Sequence, residues 1–252
     1  MSDSDQSFLG ALPPWPRVDF AAFGEVEVKP LSRIQQMSAG FLARNWMMIP
    51  HVTHHDEADV TVLDSVRKEI GAAHADVKIT ALPFLMKAVV AALAKFPTFN
   101  ASLDSSGKSL VFKKYFHVGV AVDTPAGLLV PVIRDCDRKT IVELAREVAT
   151  ISEKARTKGL SMAEMSGGCF TISSLGAIGG TGFTPIINAP EVAILGVTPT
   201  TWKPRRDGDA IDWRSMLPLS LSYDHRVING AEAARFTRYL ANVLAEPQRL
   251  IE

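Results

Sequence analysis

Apolar positions recur at helical spacing in five stretches of the chain. Leu31, Ile34, Met37, Phe41 and Leu42, interleaved with Arg33 and Arg44, predict a helix that ends before Ile49-Pro50. Leu63, Val66 and Ile70, with Arg67-Lys68 nearby, predict a second, capped by Asp59 or Thr61. Thr80 to Lys95 predicts a third, with Leu85, Val89, Ala92 and Leu93 and almost no charge, so it should be deeply buried. Ile141, Leu144, Val148 and Ile151 behind a Thr140 cap predict a fourth whose other face is dense in charge. The last starts at Asn229, a good N-cap, and carries Ala233, Phe236, Leu240, Val243 and Leu244. Between the helices lie strand-like runs at 51–60, 109–113, 116–123, 128–133, 169–174, 192–197 and 216–222. Asp123 to Gly127 is turn chemistry, and 202–213, with Asp207-Gly208-Asp209, reads as a hairpin tip.

Short strands joined partly by helices and partly by turns predict one α/β domain with a mixed sheet flanked by helices, over residues 19–252. Residues 1–18 read as a tail, polar and then extended through Leu12-Pro13-Pro14-Trp15-Pro16. There is no internal repeat and no interior linker. With 27 basic and 27 acidic residues in 252 the net charge is zero, so no field draws in nucleic acid or an anionic membrane. No apolar run approaches the roughly 20 residues of a membrane span. Met1 to Ser7 lacks the basic end and apolar stretch of a secretory signal. Two distant cysteines, Cys136 and Cys169, fit reduced structural thiols of a cytoplasmic protein.

The candidate chemistry lies at Ser220 to Ala231, where an alternating strand runs into the Asn229 cap and leaves His225 on the short turn between them. An imidazole there has backbone on both sides to fix its ring, and this side chain titrates near neutral pH. On local grounds alone it is a surface-turn histidine. The cluster His51, His54, His55, Asp56 and Glu57 invites a metal, but strand alternation sends His51 and His55 to one face and His54 and Asp56 to the other. No metal site is expected. The glycine-rich run Gly176 to Gly182 has neither the Gly-Lys-Ser/Thr end of a P-loop nor the last glycine of a dinucleotide fingerprint. Ser173-Ser174 reads locally as turn capping; no Gly-x-Ser-x-Gly surrounds it, so a serine nucleophile is unsupported.

Asp224-His225-Arg226-Val227-Ile228-Asn229-Gly230-Ala231 resembles the His-x-x-x-Asp-Gly signature of the dihydrolipoamide acyltransferases and the chloramphenicol acetyltransferases, departing from it once, with Asn229 in place of Asp. Leu-Ser-Leu-Ser-Tyr before it favours the first group. Ile49-Pro50-His51-Val52-Thr53, residues 120–133, and 170–176 through 189–197 resemble the same catalytic domain, in order, over roughly 14–252. The resemblance implies a chloramphenicol acetyltransferase-like fold and an enzyme moving an acetyl group between dihydrolipoamide and coenzyme A, as the core of a pyruvate dehydrogenase complex. Branched-chain or succinyl transfer differs only in the pocket; an inactive core scaffold is the reading from another class. The resemblance assigns the base to His225 and the oxyanion donor to Ser173, with Ser174 beside it, and implies direct transfer between the two thiols. Arg33 matches an arginine that pairs with the signature Asp; with Asn229 the salt bridge is lost and a hydrogen bond is the contact expected. Arg67 and Asp123 are weaker carry-overs for coenzyme A. The family also implies trimers in which His225 faces Ser173 of the next chain, built into a hollow core, here of 24 chains in a bacterial cytoplasm. The lipoyl group would come from a separate lipoyl domain, absent from this chain, whose proline-rich start would be a cut linker.

Overall fold

The computed structural model of the chain describes residues 16–251, the side chain of Asp207 apart. The tail expected at 1–18 therefore lies almost entirely outside the described residues. By its contacts the chain divides after Leu31. Before that point a short 3-10 turn, Phe20–Ala22, is capped by Asp19, whose carboxylate accepts from the Ala21 N–H. The body begins at Ser32. Ser32 and Gln35 form a capping box that opens helix α1, Arg33–Met48.

Strand β1, His51–Asp59, leads into α2, Thr61–Ala73. The backbone cap of α2 is Val60, but the expected acidic residue still acts: the Asp59 carboxylate accepts from the Thr61 N–H at 3.1 Å. Helix α3, Ala81–Lys95, buries nine of its fifteen residues, as its lack of charge predicts. Next come β2, Ala101–Leu103, paired with β3, Leu110–Phe112, then β4, Val118–Val120, and a small hairpin of β5, Val122–Thr124, with β6, Gly127–Leu129. β7, Val132–Ile133, returns to pair with β4. Helix α4, Ile141–Thr157, opens on a Thr140–Glu143 capping box. β8, Phe170–Ser174, β9, Ala193–Val197, β10, Thr201–Asp207, and the long β11, Ala210–Asp224, complete the strands. Asn229 caps α5, Gly230–Ala245, accepting from the Glu232 N–H at 2.9 Å.

Two runs read as single strands are broken. Residues 116–123 leave the main sheet after Val120, and 128–133 are interrupted at Val130-Pro131, because the chain turns aside to make the β5–β6 hairpin. The hairpin read at 202–213 extends to 201–216, where β10 and β11 pair from Thr201↔Met216 to Asp207↔Ala210.

The main sheet runs β1-β11-β9-β8-β4-β7, with β10 alongside β11. β4–β8 and β8–β9 are parallel and the other pairs antiparallel, so the sheet is mixed as expected. Its two faces differ in kind. Val118, Val120, Phe170, Ile172, Leu195, Leu219, Leu221 and Tyr223 point one way, into a core closed by α3 and α5, where Phe99 stacks on Phe236 at 4.0 Å. The other face carries Thr53, His55, Thr171, Ser173, Gly196, Ser220 and Ser222, placed together by the ladder. On it Thr53 hydrogen-bonds Ser222 at 2.8 Å, and His55 bonds Ser220 at 3.0 Å.

Candidate active site

Ser173 and His225 are both placed by the three strands β8, β9 and β11. Across the ladder Ser173 is level with Gly196, and Gly196 with Ser220. His225 follows the end of β11, five residues beyond Ser220, at the opposite end of the sheet. At 3.4 Å per residue and two strand spacings sideways, the two residues are about 20 Å apart in one chain. No side-chain motion closes that gap, so within one chain the two residues stand in separate candidate half-sites.

The Ser173 half-site lies on the polar face. Among the described residues its hydroxyl makes no hydrogen bond, and it is half-buried. Ser174, on the core side of the strand end, takes the capping role, receiving the Gly176 N–H at 3.5 Å. Neighbouring Gly196 has no room for a side chain: a Cβ would lie 2.7 Å from the Phe183 ring, which packs over it. The glycine-rich loop after β8 folds back so that Gly182 lies against His55 and Ser220.

The His225 half-site is held by backbone. Asp224 N–H donates to Val192 O at 2.8 Å, His225 N–H to Pro50 O at 3.2 Å, and Val227 and Ile228 N–H to Asp224 O at 3.0 and 2.9 Å. The imidazole is exposed, tilted against Tyr223 at 5.8 Å between ring centres, and neither ring nitrogen is hydrogen-bonded among the described residues. Behind it His51 is fixed as one tautomer. Its Nδ1–H donates to Ile49 O at 2.8 Å, and its Nε2 accepts from the Ile187 N–H at 3.0 Å. Both ring nitrogens of His51 are thereby engaged by backbone. Asp56 is paired with Arg238, and among the described residues no group of three or more potential metal ligands comes together.

The expected Arg33–Asn229 contact is not made within a chain. Ser32 donates to Ala126 O on the β5–β6 turn at 3.0 Å, so Arg33 starts α1 there, about 24 Å of helix from the end that leads to Pro50 and His225. Sequence reading missed the pair that stands at the turn instead. The Asp224 carboxylate, 2% exposed as a residue, accepts from Arg226 Nε at 2.9 Å and Nη2 at 2.6 Å. The Asp-x-Arg spacing in the signature was the available signal. Arg67 lies on the α2 surface, donating to Asp64 at 3.4 Å and to Ile79 O at 3.3 Å, and Asp123 is exposed on the β5–β6 hairpin. Neither touches Ser173 or His225. Both cysteines are buried and free; burial pushes the Cys136 thiol up to about 12 and raises Cys169 too, which leaves them unreactive near neutral pH.

Residues 23–252 match the family model described as 2-oxoacid dehydrogenases acyltransferase (catalytic domain). The chain is 57% identical over 242 residues to the dihydrolipoyllysine-residue acetyltransferase component of the pyruvate dehydrogenase complex of Pseudomonas aeruginosa, covering 95% of this chain but only 44% of that protein. Among solved structures it resembles the dihydrolipoamide acetyltransferase of Azotobacter vinelandii, at TM-score 0.93 and 54% identity over 96% of this chain and 100% of that one. In that enzyme the catalytic role of one serine, one histidine and one asparagine has been investigated. The cubic core of a pyruvate dehydrogenase multienzyme complex matches with the same score, identity and coverage. A chloramphenicol acetyltransferase, 15% identical over 81% of this chain and 94% of its own, shares the fold at TM-score 0.56. The chain belongs to the 2-oxoacid dehydrogenase acyltransferase family, whose catalytic domain it carries.

Proposed function

We propose that the chain transfers an acetyl group between dihydrolipoamide and coenzyme A, with residues 19–252 as the catalytic domain and 1–18 as the tail before it. The observation that carries this reading is a coincidence of spacing. The serine-to-histidine and histidine-to-asparagine separations studied in the Azotobacter vinelandii enzyme equal those from Ser173 to His225 and from His225 to Asn229. The same agreement supports asparagine at position 229 as a working member of the site.

The chemistry follows from the two half-sites. His225 removes the proton of the attacking thiol, and the thiolate adds to the thioester carbonyl. The Ser173 hydroxyl donates to the oxyanion that forms. Collapse breaks the old C–S bond, and the departing thiolate takes the proton back from His225. Since about 20 Å separates Ser173 and His225 in one chain, the working site pairs His225 of one copy with Ser173 of another.

The surface of α1 supports such a partner. Met37, Phe41, Leu42, Trp46, Met47 and Met48 are all more than 40% exposed, and Asn45 is the only buried residue of the helix. A helix that apolar and that uncovered calls for a second chain. A trimer built into a 24-chain hollow core, like the cubic core it resembles, is the assembly we infer, in a bacterial cytoplasm with a lipoyl domain delivering the acyl group. Arg67 and Asp123 are retained as candidates for the coenzyme A end.

Co-expressing chains that carry His225→Ala with chains that carry Ser173→Ala tests the shared site. Random pairing leaves about one interface in four with both groups intact, so activity near a quarter of the unmodified level is expected from two inactive parents. No recovery in mixed particles would place the whole site in one chain. Running the assay with acetyl, succinyl and isobutyryl donors tests the acyl group, with acetyl expected to be fastest.

A further inference from the structure

The imidazole of His225 reaches into solvent with no hydrogen bond to steady it among the described residues. Its direction is therefore set by the backbone of three residues, Asp224 to Arg226. One side chain closes that turn. Asp224 Oδ1 accepts from the Arg226 backbone N–H at 3.0 Å, bridging over His225, while the same carboxylate is gripped by Arg226 Nε and Nη2. A carboxylate this buried is costly unless paired, and beside an imidazole it would favour the imidazolium form. The guanidinium answers both requirements at once.

Other charged or titratable groups face the turn without bonding to Asp224. Arg44, on α1, lines a cavity of about 430 Å³ together with Asp224 and Arg226, but donates to Asn45 Oδ1 through Nε and Nη2. Glu191, before β9, also lines it, with Oε1 receiving Asn188 Nδ2 at 3.4 Å and Oε2 without a hydrogen-bond partner among the described residues. His51, opposite Asp224 in the ladder, has both nitrogens taken by backbone, and the Tyr223 ring is tilted against that of His225. Among the described residues Arg226 is the one cation bonded to Asp224.

We propose that Asp224 and Arg226 act as one positioning unit for His225: the carboxylate closes the turn that aims the ring, and the guanidinium cancels the carboxylate's charge. The proposal rests on His225 being the base. It separates two jobs that single variants can divide. Asp224→Asn keeps an acceptor for the Arg226 N–H but removes the charge. Arg226→Gln keeps the turn closure but leaves the carboxylate bare. Asp224→Ala removes closure and charge together.

The test uses the assembled protein and two readouts, the pH profile of kcat/KM and the pH dependence of His225 modification by diethyl pyrocarbonate, followed by mass spectrometry. With Arg226→Gln the acidic limb of both profiles should move to higher pH, and with Asp224→Asn to lower pH, each by roughly half a unit to one unit. Asp224→Ala should lower kcat at least about tenfold below Asp224→Asn, with the KM for coenzyme A within about twofold. A merely structural pair would lower the melting temperature and leave both pH limbs where they are. Unmoved limbs in Arg226→Gln and Asp224→Asn overturn the proposal even if Asp224→Ala does not fold. If the unmodified protein transfers no acyl group yet the modification profiles still diverge in opposite directions, the assigned reaction fails and the positioning unit stands.

Discussion

The two ends of the central sheet meet different demands. At one end His225 is held from every side, by Val192 O, Pro50 O and the Asp224 carboxylate acting on consecutive N–H groups, with a charged pair behind it. At the other, Ser173 lies on a strand flanked by Gly196 and followed by a glycine-rich loop, and its hydroxyl has no partner among the described residues. A general base must present one nitrogen along one direction, so its backbone must be fixed. A hydroxyl rotates to meet an oxyanion wherever the lone pair forms, so its strand position is enough. On the proposed roles, rigidity is concentrated where the chemistry is directional.

The sharpest way to break this comparison is to remove the two groups in turn. His225→Ala should cost the most, a loss of about 10²–10⁴ in turnover, with particle size and melting unchanged because an exposed ring leaves no cavity. Turnover within a few-fold of normal would remove His225 from the base role. Ser173→Ala comes next, with a loss of about 10²–10³ in kcat and little change in KM, since in the proposed reaction the hydroxyl meets negative charge only in the tetrahedral intermediate. A raised KM with unchanged kcat would instead make Ser173 a substrate contact, and the oxyanion donor would have to be sought elsewhere on the polar face.

Much of this was legible from residue order. The Asn229 cap, the apolar spacing behind it and the alternating Leu217, Leu219 and Leu221 located the strand, turn and helix around His225, because these are local effects of backbone and side chain. The Ser173 strand was legible for the same reason. What residue order did not give is register. That Ser173 is level with Ser220, and so far from His225, depends on how β8, β9 and β11 pair across long stretches of chain. The Arg33–Asn229 contact is absent within a chain on the same ground: α1 is a rigid rod, and its start is pinned by Ser32 to the β5–β6 turn rather than near α5. The break of 116–123 into two strands reflects a neighbour's demand as well, since Ala121 N–H still bonds Ile172 O while the chain beyond it leaves the sheet.

The smallest expected effect is on stability rather than rate, and it too should distinguish the ends. Glu191 lies just before β9 at the His225 end, 4% exposed, with Oε1 receiving Asn188 Nδ2 at a long 3.4 Å and Oε2 without a hydrogen-bond partner among the described residues. Burial pushes its carboxyl from 4.5 up to about 7, and the attraction of Lys113 does not outweigh that. Between these values the folded chain holds a proton that the unfolded chain has lost. Linkage then makes stability fall as pH rises from about 4.5 to about 7, by up to roughly 3 kcal/mol, and level off above. Glu191→Gln keeps the shape without the charge, so it should melt like the unmodified protein near pH 4.5 and be more stable by about 1–3 kcal/mol at about pH 8. The Ser173 end has no such group among the described residues, so the Ser173→Ala protein should follow the unmodified curve at every pH. Melting curves of the three proteins between about pH 4.5 and 8 decide it. A Glu191→Gln protein that keeps the full slope would show that the titrating group lies elsewhere, and the chemical difference between the two ends would then reduce to the turn at His225.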